Sequence, residues 1–330
     1  MHGLTSIVSS LREARVLLVG DLVLDTYLYG CCDRVSREAP VVIVRETRRE
    51  SMLGGAGNVA AGLRALGAEV EVVGVVGDDS AGDALRSLLS SLGINGKGLV
   101  RVEGRATECK TRILAGGLST TPQQVLRLDQ GETSPVGAAA QKAVRGRIAS
   151  AARKADVVAV SDYGSGLLTP ALRRHVVRLT KKKPVLVDAR YDLLGYVGAT
   201  LVKPNLPELE AALGQRFETT SEVARGARRL RSKLGARAVL VTRGHQGLTL
   251  QGEHGSALHL PVHGLPAAVD VTGAGDTVMA TLAASVAAGA SLADATRLAN
   301  VAAGLVVQKP GTATVSADEL AVALSSEARQ

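Results

Sequence analysis

Tryptophan is absent from this chain of 330 residues, phenylalanine occurs once and tyrosine five times. So few rings leave almost no stacking platform for single-stranded nucleic acid. Cysteine is scarce too: Cys31, Cys32 and Cys109 are the only three. Two of them are adjacent, which makes a poor disulfide framework, and no Cys/His spacing resembles a zinc site. No apolar run reaches the roughly 18 residues of a membrane span, and the N-terminus lacks the charged-then-apolar order of a signal peptide. Internal repeats, low-complexity linkers and the G-x-x-x-x-G-K-[ST] phosphate loop are missing as well. The expectation is a soluble, cytoplasmic protein with reduced thiols, no membrane partner and no nucleic-acid partner.

The formal charge is +8. Its basic runs, 173–183 and 225–231, fall in helix-like stretches and read as solvated helix faces. A modest positive field also suits small anionic substrates. Hydrophobic residues make up 46% of the chain, enough for a large core built from Ala, Val and Leu.

Segments rich in Val and Leu alternate with Ala/Leu-rich ones. Residues 15–20 (RVLLVG) predict a buried strand ending at an acidic turn, and 41–44, 69–76, 156–160, 184–187, 200–202 and 238–241 predict others. Helices are expected from Gly54-Gly55 to Leu66, then over 81–92, 170–180, 207–213 and 221–233, with two Ala-rich helices starting at Ala274 and Leu292. This order predicts a three-layer α/β/α fold with a mostly parallel sheet. Two insertions, about 25–47 and 99–130, alternate polar and apolar residues. Gly116-Gly117 and Thr121-Pro122 punctuate the second like a hairpin. Together they predict a small, discontinuous β-lid on a single domain spanning 1–330. It would cover the carboxyl ends of the main strands, where open α/β sheets bind ligands.

Residues 270–276 (DVTGAGD) carry the strongest chemical signal. Gly273, Ala274 and Gly275 are small enough to leave backbone N–H groups pointing inward at a helix start, where the dipole favours an anion. Asp276, in the first turn, is placed to accept a proton. Phosphoryl transfer needs both features. An ordinary glycine turn with a helix-end carboxylate is the bland alternative. Gly54-Gly55 allows close backbone approach and Asn58 offers a donor and an acceptor, although a loop-to-helix turn explains them equally. Asn205-Leu206-Pro207-Glu208 reads by itself as a helix start.

With residues 54–60 (GGAGNVA) and 270–276, the chain resembles the PfkB, ribokinase-like, family of carbohydrate kinases from about 15 to 316. The resemblance implies a three-layer ribokinase-like fold, ATP as donor and magnesium as cofactor. It makes 273–275 an anion hole and Asp276 the base. Gly54, Gly55, Asn58 and Asp25 then bind the sugar, and Asp21 is a second candidate that reads equally as a turn-forming residue. Asn205 and Glu208 become an N-x-x-E element that organises phosphate and magnesium, the ion being held through its water shell. Thr242, Arg243 and Gly244 would pass along the nucleotide phosphates, and Asn300 and Gly304 would flank the adenine. Asp270, Thr272 and 309–316 resemble a loop that holds a monovalent cation, potassium by its hard oxygen ligands.

Residues 20–27 (GDLVLDTY), 34–41 (RVSREAPV), 123–129 (QQVLRLD), 161–163 (SDY) and 311–316 (GTATVS) resemble the heptose 7-phosphate kinase branch. Gln124 and Asp162 lie within them and are assigned to the substrate. The implied reaction phosphorylates the anomeric oxygen of D-glycero-D-manno-heptose 7-phosphate for ADP-heptose and lipopolysaccharide synthesis. An adenylyltransferase domain follows in many members of the branch, so only the kinase step is expected here. Two departures stand out: Ser165 replaces a lysine, and Asp188-Ala189-Arg190 replaces Asp-Pro-Lys. Arg37, Lys110, Arg112, Arg127 and Arg190 are therefore candidates for the substrate phosphate, Arg112 foremost. The 115–121 hairpin is also longer than usual in the branch. Lid-to-lid packing implies a homodimer. Two competing readings are a kinase for another sugar and a non-catalytic nucleotide- or sugar-binding regulator.

Overall fold

A computed structural model describes residues 2–116, 122–264 and 268–327. Its strands are β1 (Arg15–Gly20), β2 (Leu22–Val35), β3 (Val42–Gly55), β4 (Glu69–Gly77), β5 (Leu99–Val102), β6 (Cys109–Gly116) and β7 (Gln123–Gln130). The second half adds β8 (Val157–Asp162), β9 (Val185–Ala189), β10 (Leu201–Val202), β11 (Ala238–Thr242), β12 (Leu248–Gln251) and β13 (Leu258–Leu260). The helices are α1 (His2–Ser10), α2 (Ala56–Ala65), α3 (Ser80–Ser91), α4 (Ala138–Ala151) and α5 (Pro170–Val177). Then come α6 (Leu206–Leu213), α7 (Thr220–Leu234), α8 (Ala274–Ala287), α9 (Leu292–Val306) and α10 (Ala317–Glu327).

Pleating explains the layers. In β1, Val16 and Leu18 face one side and Leu17 and Val19 the other, and all four are buried. The first side packs on α2, α8, α9 and α10, the second on α4, α5 and α7, so each strand feeds two cores. Strand order is β13-β12-β11-β10-β9-β8-β1-β4-β5. Pairing is parallel from β5 to β11 and antiparallel through β12 and β13. The three-layer, mostly parallel architecture agrees with the expectation. Among the described residues, no helix is long and apolar enough to cross a membrane.

The second sheet has the order β3-β2-β6-β7. Its bounds differ from those expected. Residues 99–102 pair with β4 at the edge of the main sheet, because Leu99 is buried against its core. At the other end, β3 runs far beyond residue 44 and down to Gly55, paired with β2 along nearly its whole length. Strand β3 is mostly solvent-exposed and its middle is charged, so its sequence shows little alternation until its last three residues sink into the core. The hairpin tip at 117–121 lies outside the described residues.

Candidate active site

The chain leaves the main sheet at Gly20, turns at Asp21 and enters the lid at Leu22; it returns at Gly55 and starts α2 at Ala56. This double crossing brings Asp21, Asp25, Gly54, Gly55 and Asn58 to the top of β1. The N-terminus of α8 arrives at the same place from the far end of the sequence. Gly273 caps α8 with φ 78°, a left-handed conformation that glycine adopts without penalty, and a Cβ there would stand 2.7 Å from Asn58 Nδ2.

Asp276 lies in the first turn and is 8% exposed. Asn58 Nδ2 donates to its Oδ2 at 2.8 Å, and the Tyr163 hydroxyl donates to its Oδ1 at 2.8 Å. Burial, helped by the charge of Asp188, raises this carboxyl to about 6, while the two hydrogen bonds and Lys203 hold it from rising further. The result is a carboxylate that is ionised at neutral pH yet basic enough to take a proton.

Lys203, just after β10, is 4% exposed and was not picked out from the sequence. Its one signal was a charge closing an apolar run ahead of Asn205. Lys203 Nζ pairs with Asp188 Oδ2 at 2.9 Å, and a Cβ on Gly275 would lie 3.7 Å from it. A buried cation therefore sits beneath the 273–275 turn. Burial favours the neutral amine, but the charge and hydrogen bond of Asp188 outweigh it and keep the ammonium above its ordinary pKa. Glu208 is nearby, and burial raises its carboxyl. Both Glu208 oxygens accept from Asn205, from the backbone N–H at 2.8 Å and Nδ2 at 2.9 Å, while Glu208 N donates to Asn205 Oδ1 at 2.7 Å. This capping box fixes the start of α6.

On the lid side, Arg112 Nη1 donates to Asp25 Oδ1 at 2.5 Å and its guanidinium lies over the Tyr27 ring. Arg112 is thus engaged in orienting Asp25. Gly54 faces the same carboxylate closely enough that a Cβ would collide with it. Lys110 is the register neighbour of Asp25, and Arg112 that of Tyr27, so the four share one face of the lid. The Lys110 ammonium stands over the Tyr163 ring, 5.7 Å from its centroid. Arg127 pairs with Asp129 two residues along its own strand, and Gln124 is on the exposed edge strand β7.

Asp162 is drawn elsewhere. Its Oδ2 accepts from the Tyr196 hydroxyl at 2.6 Å and pairs with Arg173 at 3.1 Å, and its Oδ1 accepts from Gly164 N. With 3% exposure it organises the turn after β8, each oxygen already accepting a hydrogen bond. Asp21 is equally enclosed. It accepts from Tyr163 N and Ser165 N, and burial followed by the charge of Asp162 raises it to about 6. The turn-forming reading of Asp21 fits these contacts.

Behind α8 opens a cavity of about 480 Å³, lined by Thr242, Gly244, Ala274, Gly275 and Asn300 with apolar walls from Leu248, Val278 and Val307. Asn300 Nδ2 donates to Pro261 O at 2.8 Å. Gly304 lets the 261–263 loop touch α9, since a Cβ there would strike His263 O. Arg243 turns away, because its guanidinium bonds Thr220, Gln246 and Thr249. Asp270 accepts from Thr272 N at 2.8 Å and Gly311 N at 2.9 Å, tying the glycine turn to the 311–316 loop.

An anion-ready helix start, a buried carboxylate beside it and an apolar cavity behind it define a sugar phosphotransferase. Residues 13–319 match the pfkB family of carbohydrate kinases. The chain belongs to that family and transfers phosphoryl groups to a sugar hydroxyl. It is 44% identical over 330 residues to the bifunctional protein HldE of Paramagnetospirillum magneticum, covering 99% of this chain and 66% of that protein. The HldE protein of Caulobacter vibrioides is 46% identical over 318 residues, covering 94% and 63%. This chain thus spans somewhat less than two thirds of these relatives. Among solved structures, Escherichia coli phosphofructokinase-2 in complex with potassium superposes with TM-score 0.77 at 19% identity, covering 96% of this chain and 99% of that one. Arabidopsis thaliana ribokinase complexed with ribose and ATP gives 0.72 at 20% identity, covering 94% and 98%. These two likenesses establish the ribokinase-like fold.

Proposed function

We propose that this chain transfers the γ-phosphoryl group of ATP to the anomeric hydroxyl of D-glycero-D-manno-heptose 7-phosphate. One observation carries the direction of transfer: Ala274 and Gly275 line the 480 Å³ cavity, while the next residue, Asp276, is held by Asn58 and by Tyr163, whose ring lies under Lys110 of the lid. Donor and acceptor would meet across a single helical turn. Asp276 takes the proton of the acceptor hydroxyl as its oxygen attacks phosphorus, and the bond to the β-phosphate breaks to leave ADP. The first-turn N–H groups of α8 and the Lys203 ammonium face the charge that develops. The choice of heptose phosphate rests on the segments 20–27, 34–41 and 311–316 and on the HldE relatives.

Magnesium fits this site through its water shell, since both Glu208 oxygens already hold Asn205. Bound there, it supplies positive charge to the donor phosphates. Asp270, Thr272 and the 311–316 loop would house a monovalent cation. Lys110, whose ammonium lies over a ring and meets no carboxylate among the described residues, is the lid cation best suited to the 7-phosphate. The exposed lid residues Val35, Val42, Leu126 and Leu128 would pack on a second copy, and the free cysteines suit a cytoplasmic enzyme.

ADP release should be measured with heptose 7-phosphate, unphosphorylated heptose, ribose and fructose 6-phosphate. The first should give by far the highest kcat/KM. Strong turnover of another sugar with none on the heptose phosphate overturns the substrate assignment. No sugar-dependent ADP release at all would favour a binding regulator.

A further inference from the structure

Tyr163 receives more structural support than a turn residue needs. Its own N–H and that of Ser165 donate to Asp21 Oδ2 at 2.8 and 3.1 Å, and Gly164 N donates to Asp162 Oδ1 at 3.0 Å. Asp162 is in turn clamped by Tyr196 and Arg173. Two buried carboxylates therefore pin three consecutive backbone N–H groups. What this pinned turn delivers is one phenol, whose hydroxyl reaches Asp276 Oδ1 at 2.8 Å. The ring of the same residue lies under Lys110 of the lid.

We propose that Tyr163 is a positioning residue for Asp276, fixing the plane of the carboxylate so that its remaining lone pairs meet the acceptor hydroxyl. This rests on the reading of Asp276 as base. A carboxylate held only by Asn58 could rotate about its last bond. A second donor on the other oxygen removes that freedom, and each oxygen keeps a lone pair for the substrate. The phenol keeps its own proton throughout, because burial and the neighbouring Asp276 hold its pKa well above the ordinary value. The groups facing Asp276 are Asn58 from α2, Tyr163 after β8, Asp188 on β9 and Lys203 after β10. Those facing the phenol also include Arg190 and Lys110. Of these, only Asn58 and Tyr163 donate hydrogen bonds to the Asp276 carboxylate.

Tyr163→Phe removes the hydroxyl and keeps the ring. We expect kcat to fall about 10–100-fold, the scale of a small misplacement of a reacting group, with KM for ATP little changed. The hydroxyl stabilises the charged carboxylate, so the acidic limb of the pH–rate profile should move to higher pH. A purely structural tyrosine would lower the melting temperature and leave that limb in place. Should the variant fail to fold, 3-fluorotyrosine substituted throughout the wild-type chain makes a stronger donor and should move the limb to lower pH. An unmoved limb in whichever protein folds overturns the proposal. Asp276→Asn separates the two levels: if it keeps near-normal turnover, the base assignment fails, whereas an inactive Asp276→Asn beside a normal Tyr163→Phe removes only the positioning role.

Discussion

At the scale of single residues, function here depends on what a charge is already bonded to. Asp276 differs from Asp162 and Asp21 less in burial than in its partners: its two donors are both side chains, whereas the other two carboxylates also accept from backbone N–H groups of the 163–165 turn. Asp276→Asn should fold, bind ATP and lose about 10²–10⁴-fold in kcat, equivalent to about 3–5 kcal/mol of barrier. Single-turnover kinetics would show the loss in the chemical step, and a loss confined to ATP affinity would contradict the base role. The raised carboxyl also has a sign in stability. The folded state holds the Asp276 proton up to about 6, above the ordinary 3.8, so its contribution to stability is present at low pH and is lost as pH rises through that window. Melting temperatures of Asp276→Asn minus wild type should therefore climb between pH 4 and about 6 and level off above. A flat difference would mean that Asp276 is not raised. On the lid, Lys110→Met should lower kcat/KM on a phosphorylated sugar at least 10-fold and hardly affect the unphosphorylated one. Arg112→Ala should impair both alike, because it releases Asp25; a loss selective for the phosphate would return that role to Arg112.

At the scale of elements, the sequence revealed most where a local pattern does the physical work. The α8 start was legible because glycine spacing and a first-turn carboxylate are local, and the α6 start because Asn205 and Glu208 form their box within four residues. Lys203 and Tyr163 were not, since their meaning comes from contacts between distant segments: Tyr163 and Asp276 stand 113 residues apart. Strands β12 and β13 were missed at four and three residues, too short to show a period. Helix α4 was missed as well, buried at only Val144, Ile148 and Ala151, with no acidic residue in its first turn. Arg243 follows a strand end, as expected, and its guanidinium bonds Thr220 on α7, another contact between separate elements that no local pattern shows. The capping box allows a separate test. Glu208→Gln exchanges one acceptor oxygen for a donor, so the variant should melt about 1–2 °C lower, by the roughly 1 kcal/mol that a cap contributes. It should also need several-fold more magnesium for half-maximal rate. A stability loss with an unchanged magnesium titration would leave Glu208 as a cap alone.

At the scale of the whole molecule, a two-core sheet carries a second sheet whose edge strand β7 exposes Leu126 at 55% and Leu128 at 49%. Apolar edges of this kind invite pairing and are usually covered. Sedimentation at micromolar concentration should find a dimer, and Leu126→Glu with Leu128→Glu should yield monomers that still fold. A wild-type monomer under those conditions would show that the lid serves its own subunit only.

The double crossing between Gly20 and Ala56 divides labour in a way that reaches beyond this one reaction. Asp25, Lys110 and Arg112 reside on strands of the small sheet, whereas Asp276, Lys203 and the apolar cavity belong to the large one. On the proposed mechanism, the vocabulary for choosing an acceptor is thus written on a different page from the grammar of phosphoryl transfer. A lineage could revise the first by drift in two ribbons of the lid and inherit the second unaltered.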